Sequence, residues 1–209
     1  MCAIAGLICF KRQCREEDHL RLVEKMCDLQ SHRGPDDRGV ISLGPVCLGS
    51  NRLSIIDLSQ AGHMPMADAA QDFCLVYNGE VYNFQALREE LIREGSEFRS
   101  KTDTEVVLHA FKHWRKQCFG RFSGMFAFAI YDQRSDTLTL VRDRFGKKPL
   151  YYMRDERHLL FASEMKVLMQ ISKNLKPDRQ RLMEWSLYRN VDFGSPRTLV
   201  ENIFALPAG

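Results

Sequence analysis

Four strand-forming runs follow one another in the second half of the chain, and they limit the possible folds more than any other feature. Aromatic and aliphatic side chains fill each run, and short polar or glycine-containing turns separate them. Because these strands are grouped apart from the helical segments, they predict antiparallel sheets with helices packed outside. The runs are residues 126–131, 137–141, 150–153 and 159–162.

The first half of the chain adds further strands and three helices. Residues 17–30 and 84–94 carry apolar side chains at helical spacing, and a third helix is predicted to begin at Thr102. Strand patterns occur at 3–10, 40–43, 46–48 and 73–77, with Gly44-Pro45 as the turn of a hairpin. Together these elements predict an α+β fold of two antiparallel sheets covered by helices.

Three segments are less regular. Small and polar residues at 60–72 predict a surface loop. Residues 164–181 predict a helix followed by irregular chain, and residues 182–209 predict only fragments of structure.

Composition excludes several classes of protein. The 209 residues are 44% hydrophobic and 27% charged, which is enough for one core and one domain, and no apolar run reaches the length of a membrane span. Interspersed charges with a net of +3 argue against a nucleic-acid partner. The seven cysteines lack C-x-x-C spacing, which argues against a disulfide framework and predicts no metal site. The first ten residues lack the features of a signal peptide, so we predict a cytoplasmic protein.

The strongest chemical signal is the cysteine that directly follows Met1. A side chain as small as that of Cys2 permits removal of Met1, which leaves a thiol and a free α-amine on one residue. The amine can then act as the base that activates the thiol. The alternative is an incidental buried cysteine at the start of a strand.

Other polar stretches each allow an ordinary structural explanation as well. Residues 31–37 contain Gly34-Pro35 and predict a turn that ends a helix. Asn78-Gly79 follows a buried strand, so it predicts either a hairpin turn with a return strand at Val81-Tyr82 or a functional group. Residues 102–105 fit a capping box, in which Asp103 favours the positive end of the helix dipole.

Taken in order, several stretches resemble the class II glutamine amidotransferases, whose glutaminase domain is an N-terminal-nucleophile hydrolase. The run from Arg52 to Leu58, Arg-Leu-Ser-Ile-Ile-Asp-Leu, resembles the asparagine synthetase branch of that family, as does the run from Arg33 to Asp36. The matching stretches are residues 1–6, 31–36, 52–55, 77–83, 102–105, 122–127 and 142–152.

The resemblance implies a four-layer αββα sandwich of two antiparallel sheets flanked by helices. It implies a glutaminase domain over residues 1–209, with 182–209 leading toward a synthetase domain absent from this chain. Such a domain hydrolyses L-glutamine through an N-terminal cysteine thioester and supplies ammonia for ATP-dependent asparagine synthesis. Two alternatives remain: an amidotransferase with another carboxylate or sugar acceptor, and a non-catalytic regulatory domain.

The resemblance also implies partners and cofactors. The expected partners are L-glutamine and a C-terminal synthetase domain or subunit, and a homodimer is allowed. No Ser-Gly-Gly-x-Asp-Ser loop for ATP occurs in the chain, so no cofactor is expected in this domain, and ATP and Mg belong to the synthetase domain.

Roles for individual residues follow from the resemblance. Cys2 is the expected nucleophile, and the Asn78 side chain with the Gly79 backbone N–H is the expected oxyanion hole. The guanidinium of Arg52 can bind the α-carboxylate of glutamine with two hydrogen bonds. Asp103, with Glu80, is expected to bind the α-ammonium. Leu53 and Ile55 are expected to contact the substrate. His32 and Arg33 are expected to lie beside the site and to support it.

Overall fold

The structure is a computed structural model that describes residues 1–11, 15–172, 174–189 and 195–209. The strands are β1 (Ala3–Cys9), β2 (Asp37–Leu43), β3 (Val46–Arg52), β4 (Met66–Ala67), β5 (Phe73–Val81), β6 (Gly124–Asp132), β7 (Thr137–Arg142), β8 (Tyr151–Arg154), β9 (His158–Ala162) and β10 (Ile203–Ala205). The helices are α1 (Glu16–Asp28), α2 (Phe84–Arg93), α3 (Asp103–Trp114), α4 (Met165–Ile171) and α5 (Arg179–Tyr188). Within these ranges, no helix combines the length and the apolar character needed to cross a membrane.

The strands form two antiparallel sheets. The six-stranded sheet has the order β10-β8-β9-β1-β3-β2, and the four-stranded sheet has the order β4-β5-β6-β7. In the larger sheet β1 lies between β3 and β9, so both of its edges are hydrogen-bonded. The N-terminal strand is therefore an interior strand.

Alternating side chains of the strands fill the space between the two sheets. On β1, Ile4 points into this inter-sheet core, whereas Ala5 and Leu7 point to the opposite face. Because successive side chains of a strand point to opposite faces, one short apolar run can serve two layers. The inter-sheet core contains the side chains of Ile4, Val46, Leu48, Cys74, Val76, Ala127, Ala129, Tyr131, Leu150 and Phe161.

Helices cover the outer face of each sheet. Val23 and Met26 of α1 and Val167 of α4 pack on the six-stranded sheet. Leu87 and Leu91 of α2, together with the buried face of α3, pack on the four-stranded sheet. The architecture is thus a four-layer αββα sandwich, which confirms the predicted fold class.

The hairpin predicted around Gly44-Pro45 is confirmed. Strands β2 and β3 pair with Leu43 opposite Val46, and Gly44 has a φ of +64°. That left-handed backbone conformation favours glycine, since it has no Cβ to clash with the backbone.

The hairpin interpretation of Asn78-Gly79 is wrong. Strand β5 continues through both residues to Val81, and Gly79 pairs with Phe126 of β6. A Cβ on Gly79 would lie 2.5 Å from the carbonyl oxygen of Met125, so glycine is required here by close packing within the sheet. The local turn signal is overridden because β6 supplies a full set of partners for an extended strand.

Two of the irregular segments contain more structure than their composition predicts. The 60–72 segment includes β4, and Met64, Met66 and Asp68 are buried, so it is only partly a surface loop. The C-terminal fragments include α5, which continues to Tyr188, and β10, which pairs with β8.

The described cysteines divide into two groups. Cys2, Cys27, Cys47, Cys74 and Cys118 are free thiols. Cys9, at the end of β1, is disulfide-bonded.

Candidate active site

The residues predicted to form the site surround one cavity of about 360 Å³. It lies where the start of β1, the end of β3, β5 and the start of α3 meet. Its lining includes Cys2, Arg52, Leu53, Ile55, Asn78, Gly79, Glu80 and Asp103, all of the predicted catalytic and substrate-binding residues.

Cys2 lies directly before β1 and is held there by contacts from two segments. Its sulfur lies 3.4 Å from the backbone nitrogen of Leu53, which donates to it. Its carbonyl oxygen accepts a hydrogen bond of 3.1 Å from Nε of Arg33. The Met1 ammonium donates to the carbonyl oxygen of Arg33 at 2.9 Å. The thiol is half-buried and borders the cavity, which is the placement that a nucleophile needs.

Asn78 and Gly79 supply hydrogen-bond donors from the middle of a sheet rather than from a loop. The Nδ2 atom of Asn78 is buried and donates to no partner within the described residues. Buried amide donors are normally paired, so an unpaired one beside a cavity fits a group that stabilises a charge on a bound molecule.

Asp103, the first residue of α3, places a carboxylate in the cavity wall. Its Oδ2 accepts hydrogen bonds from the hydroxyl of Tyr77 at 2.7 Å and from the backbone nitrogen of Val81 at 2.9 Å. Burial raises the pKa of Asp103, although these hydrogen bonds act in the opposite direction. A buried carboxylate of this kind is suited to bind a cation.

The helix cap that positions Asp103 differs in one detail from the predicted capping box. Thr102 Oγ1 accepts from the backbone nitrogen of Glu105 at 3.2 Å, as predicted. The carboxylate of Glu105 does not return to Thr102; it accepts from the backbone nitrogens of Arg99 and Ser100. The cap therefore joins α3 to the segment before it.

Arg52 stands at the end of β3 with its side chain buried against the following loop. Its guanidinium donates to the carbonyl oxygens of Ser59, at 3.1 Å, and Asp57. A Cβ on Gly62 would lie 2.1 Å from the same guanidinium, so Gly62 is required for this approach. The loop thus uses two of the five N–H donors of this arginine, and the other three donate to no acceptor among the described residues.

The carboxylate of Asp57 fixes this loop to the start of α3. It accepts from the backbone nitrogens of Ser59, at 2.9 Å, and Lys101, at 3.0 Å. Hydrogen bonds from Ser59 and Lys101 lower the pKa of Asp57 to about 2. The segment that carries Leu53 and Ile55 is therefore tied to the helix that carries Asp103.

His32 and Arg33 meet a residue that the sequence did not indicate. Oε1 of Glu164 lies 3.0 Å from Nε2 of His32 and 3.3 Å from Nη1 of Arg33. Because Arg33 also donates to the carbonyl oxygen of Cys2, Glu164 supports the position of Cys2 through one intermediate side chain.

Other cavity residues were missed as well. Lys148 is buried, and its Nζ lies 3.4 Å from the sulfur of Met1; Tyr77 hydrogen-bonds to Asp103. Tyr77 could have been found from its position directly before Asn78, and Lys148 from its place in the matching stretch 142–152. A larger cleft of about 570 Å³, lined by Phe122, Arg142 and Leu206 among others, contains none of the predicted site residues.

The side chains whose geometry could hold a metal ion lie away from the cavity in the part of the chain that the structure describes. Within the described ranges, one cluster brings ligand atoms of a cysteine and two histidines within 4.8 Å of one another, and its members Cys9, His19 and His158 lie outside the cavity lining.

Comparison with known proteins identifies the family. A family model described as a glutamine amidotransferase domain matches residues 1–209. The chain is 38% identical over 171 residues to glutamine-hydrolysing asparagine synthetase 3 of Bacillus subtilis, which covers 81% of this chain and 27% of that protein. It is 34% identical over 209 residues to asparagine synthetase 1 of the same organism, covering 100% of this chain and 33% of that protein. The chain thus spans about a third or less of the length of these relatives.

A solved structure supports the fold assignment. The glutamine phosphoribosylpyrophosphate amidotransferase of B. subtilis superposes with a TM-score of 0.67 at 18% identity, covering 80% of this chain and 43% of that one. At this identity the likeness concerns the fold alone, which is the N-terminal-nucleophile fold predicted from the sequence. With the full-length family match and the related synthetases, it shows that the chain belongs to the glutamine amidotransferase domain family.

Proposed function

We propose that this domain hydrolyses L-glutamine to L-glutamate and ammonia through a thioester on Cys2. The observation that carries the proposal is the meeting, in one cavity, of a thiol at residue 2, an unpaired buried amide of Asn78, and side chains of opposite charge at Arg52 and Asp103. Each of these groups matches a different part of the glutamine molecule.

The reaction begins once Met1 has been removed, because the nitrogen of Cys2 is otherwise a peptide nitrogen and cannot accept a proton. The freed α-amine takes the proton of the thiol, and the sulfur attacks the side-chain carbonyl carbon of glutamine. The amine then gives its proton to the departing nitrogen, the C–N bond breaks, and ammonia leaves. Water hydrolyses the thioester and releases glutamate.

The negative oxygen that forms during the attack needs fixed donors. The side-chain amide of Asn78 and the backbone N–H of Gly79 are proposed to serve as that pair. Loss of one such donor raises the barrier by about 3 kcal/mol in comparable sites. Because β5 is paired with β6 through both residues, these donors are held in place before the substrate arrives.

The remaining groups are proposed to recognise a free amino acid. The unoccupied N–H donors of Arg52 suit the α-carboxylate, and the carboxylates of Asp103 and Glu80 suit the α-ammonium. Leu53 and Ile55 are proposed to border the same substrate on the loop that Arg52 and Asp57 hold.

We further propose that the ammonia serves ATP-dependent asparagine synthesis on a C-terminal domain or subunit. The related synthetases support this, since the chain matches only a part of each. ATP and Mg are assigned to that partner, and none of the residues of the cavity is assigned to them.

The substitution Cys2→Ala tests the nucleophile. We expect loss of ammonia release from glutamine with an unchanged melting temperature, because the half-buried thiol contributes little packing. Cys118→Ala is the matched control, since Cys118 is a free thiol outside the cavity. Mass spectrometry measures the fraction of wild-type chains that lack Met1, and we expect the rate of ammonia release to be proportional to that fraction. Normal turnover by Cys2→Ala would refute the nucleophile assignment.

A further inference from the structure

Lys148 is a buried lysine in the wall of the cavity that contains Cys2, and the proposed reaction does not use it. Only 6% of the residue is exposed. Among the residues that the structure describes, its Nζ donates to one partner, the sulfur of Met1 at 3.4 Å, and it belongs to no ion pair. Even the more exposed Lys112 pairs with a carboxylate, that of Asp68, at 2.7 Å. A buried cation whose partner is a thioether is costly, which indicates that an anion binds beside it.

Hydrogen bonds to its backbone hold Lys148 in place. The carboxylate of the buried Asp143 accepts from the backbone nitrogens of Lys147, at 3.0 Å, and Lys148, at 2.9 Å. The guanidinium of Arg142 donates to the carbonyl oxygens of Gly146, at 2.6 Å, and Lys148, at 2.8 Å. None of these hydrogen bonds uses the side chain of Lys148, so that side chain can be changed without loss of the loop.

The carboxylate of Asp143 also joins this loop to the strands that carry the proposed oxyanion donors. Its Oδ2, which accepts from the backbone nitrogen of Lys148, accepts from that of Phe126 at 3.2 Å as well. Phe126 is paired with Gly79 across β5 and β6. The stretch 142–152 therefore forms a fixed loop that places Lys148 at the end of the cavity where the reaction is proposed to occur.

Met1 covers the ammonium of Lys148 in the unprocessed chain. Its sulfur contacts Nζ of Lys148, and its carbonyl carbon is bonded to Cys2. The cleavage that frees the α-amine of Cys2 therefore also uncovers the cation on the side of the cavity. Beside the space that Met1 vacates, the group that becomes negative in the proposed reaction is the sulfur of Cys2.

We propose that Lys148 is an anion-binding residue of the cavity, and that its ammonium stabilises the thiolate of Cys2 once Met1 has been removed. This inference rests on the proposed function, since it concerns the nucleophile of that reaction. The proton of the thiol still passes to the α-amine, and Lys148 keeps its own charge throughout. A positive charge near a sulfur favours the thiolate, which is the nucleophilic form.

The other charged groups near Cys2 are held by contacts of their own or act at the other end of the substrate. Arg33 donates to the carbonyl oxygen of Cys2. Arg52 and Asp57 hold the loop at Ser59, and Asp103 accepts from Tyr77. Glu80 is proposed to bind the α-ammonium of glutamine. The titratable or charged groups that surround Cys2 and Lys148 are thus Arg33, Arg52, Asp57, Tyr77, Glu80 and Asp103.

The test is the rate at which iodoacetamide, a neutral reagent, alkylates Cys2 over a range of pH. Full chains that lack Met1 by mass spectrometry are used. Lys148→Met removes the charge and keeps a side chain of similar length. At neutral pH we expect alkylation of Cys2 to be about tenfold slower than in the wild type, with the midpoint of its pH profile about one unit higher. Lys148→Arg keeps the charge and should restore most of the rate.

Lys147→Met is the matched control, because Lys147 is an exposed cation on the same cavity. It should be alkylated as fast as the wild type. All three variants should keep the melting temperature, since the loop is held by backbone atoms of Lys148, and all should be alkylated at equal rates in urea. Equal alkylation of folded Lys148→Met and wild type overturns the proposal, as does an equal loss of rate in Lys147→Met.

Steady-state kinetics separate this inference from the proposed function. Lys148→Met should lower kcat for ammonia release about tenfold with little change in KM, because both charged groups at the α-carbon of glutamine are bound elsewhere. If Lys148→Met turns over as the wild type does while Cys2→Ala is inactive, the role of Lys148 is wrong and the proposed function stands. If Cys2→Ala is active, the proposed function is wrong and this inference falls with it.

Discussion

At the scale of single residues, Asp103 combines a proposed binding role with an unfavourable environment. Its carboxylate is buried, and burial raises its pKa despite donors from Tyr77 and Val81. Buried carboxylates with a raised pKa often have a functional role that comes at some cost in the stability of the fold.

We expect Asp103→Asn to weaken glutamine binding without weakening the fold. The lost charged contact to an ammonium is worth about 1.5–3 kcal/mol, so KM should rise on the order of tenfold to a hundredfold. The amide oxygen of Asn can still accept from Tyr77 and Val81, so the melting temperature at neutral pH should be equal or higher. Asp72→Asn, at a surface ion pair with Arg134, is the control for both measurements.

The pH dependence of the same variant separates the two effects. The protonated form of Asp103 stabilises the folded state, and this contribution is present below the unfolded pKa and is lost as pH rises through the raised folded pKa. Glutamine binding needs the charged form, so the acidic limb of kcat/KM should follow the raised pKa in the wild type. If Asp103→Asn kept the same acidic limb, another group would be responsible for it.

The thiols should differ sharply in reactivity. Burial raises the pKa of Cys27, Cys47, Cys74 and Cys118 to about 12, so these hold almost no thiolate at neutral pH. Among the described free thiols, we expect iodoacetamide to modify Cys2 first and to abolish ammonia release in proportion. Peptide mapping after brief labelling of the native protein checks this, with a urea-unfolded sample as the control in which the buried thiols also react.

The sequence predicts which residues line the cavity better than it predicts the residues that support them. Cys2, Arg52, Asn78 and Asp103 lie within stretches whose order is typical of one family, and all border one cavity. Glu164 could not be predicted, because it lies outside the matching stretches and its importance comes from a contact with Arg33, more than a hundred residues away along the chain.

At the scale of elements, the cap of α3 links helix stability to the site. Thr102→Ala removes the acceptor of the Glu105 backbone N–H and a contact with the Ser100 hydroxyl at 2.8 Å. We expect a loss of about 1 kcal/mol in the free energy of unfolding, and a higher KM because Asp103 is the next residue. Denaturant unfolding and glutamine kinetics measure the two effects.

Thr102→Ser is the matched control, since it keeps the hydroxyl and loses only a methyl group. Equal losses in the serine and alanine variants would show that packing of the methyl, and not the cap, is what matters.

Elements with a strong local pattern are the ones that the sequence predicts well. The predicted helix at 17–30 appears as α1 (Glu16–Asp28), and that at 84–94 appears as α2 (Phe84–Arg93). The prediction of a hairpin at Asn78-Gly79 is wrong because a turn signal depends only on neighbouring residues. Strand β5 is extended there because β6, more than forty residues later, pairs with it along its whole length.

At the scale of the whole molecule, the layers of the sandwich can be predicted from the alternation of apolar side chains along the strands. The order of the strands within each sheet cannot be predicted in this way. Apolar side chains on both faces of β1 already indicate a strand covered on two sides. No local signal states that β1 pairs with β3 and β9 or that β10 pairs with β8. These pairings depend on contacts between distant parts of the chain, which a pattern within one segment does not contain.

The interior position of β1 has a consequence for protein synthesis. Strand β1 is synthesised long before β9, with which it pairs: Ala5 lies opposite Ala162, and Oγ of Ser163 accepts from the backbone nitrogen of Ile4. Until residue 163 has emerged from the ribosome, the edge of β1 that pairs with β9 has no partner, which leaves time for the proposed removal of Met1. Glu164, which steadies Arg33 against Cys2, is translated directly afterwards. The order of translation therefore allows the proposed nucleophile to be uncovered first and the contacts that hold it to be assembled later, so an unfinished chain would lack a complete site.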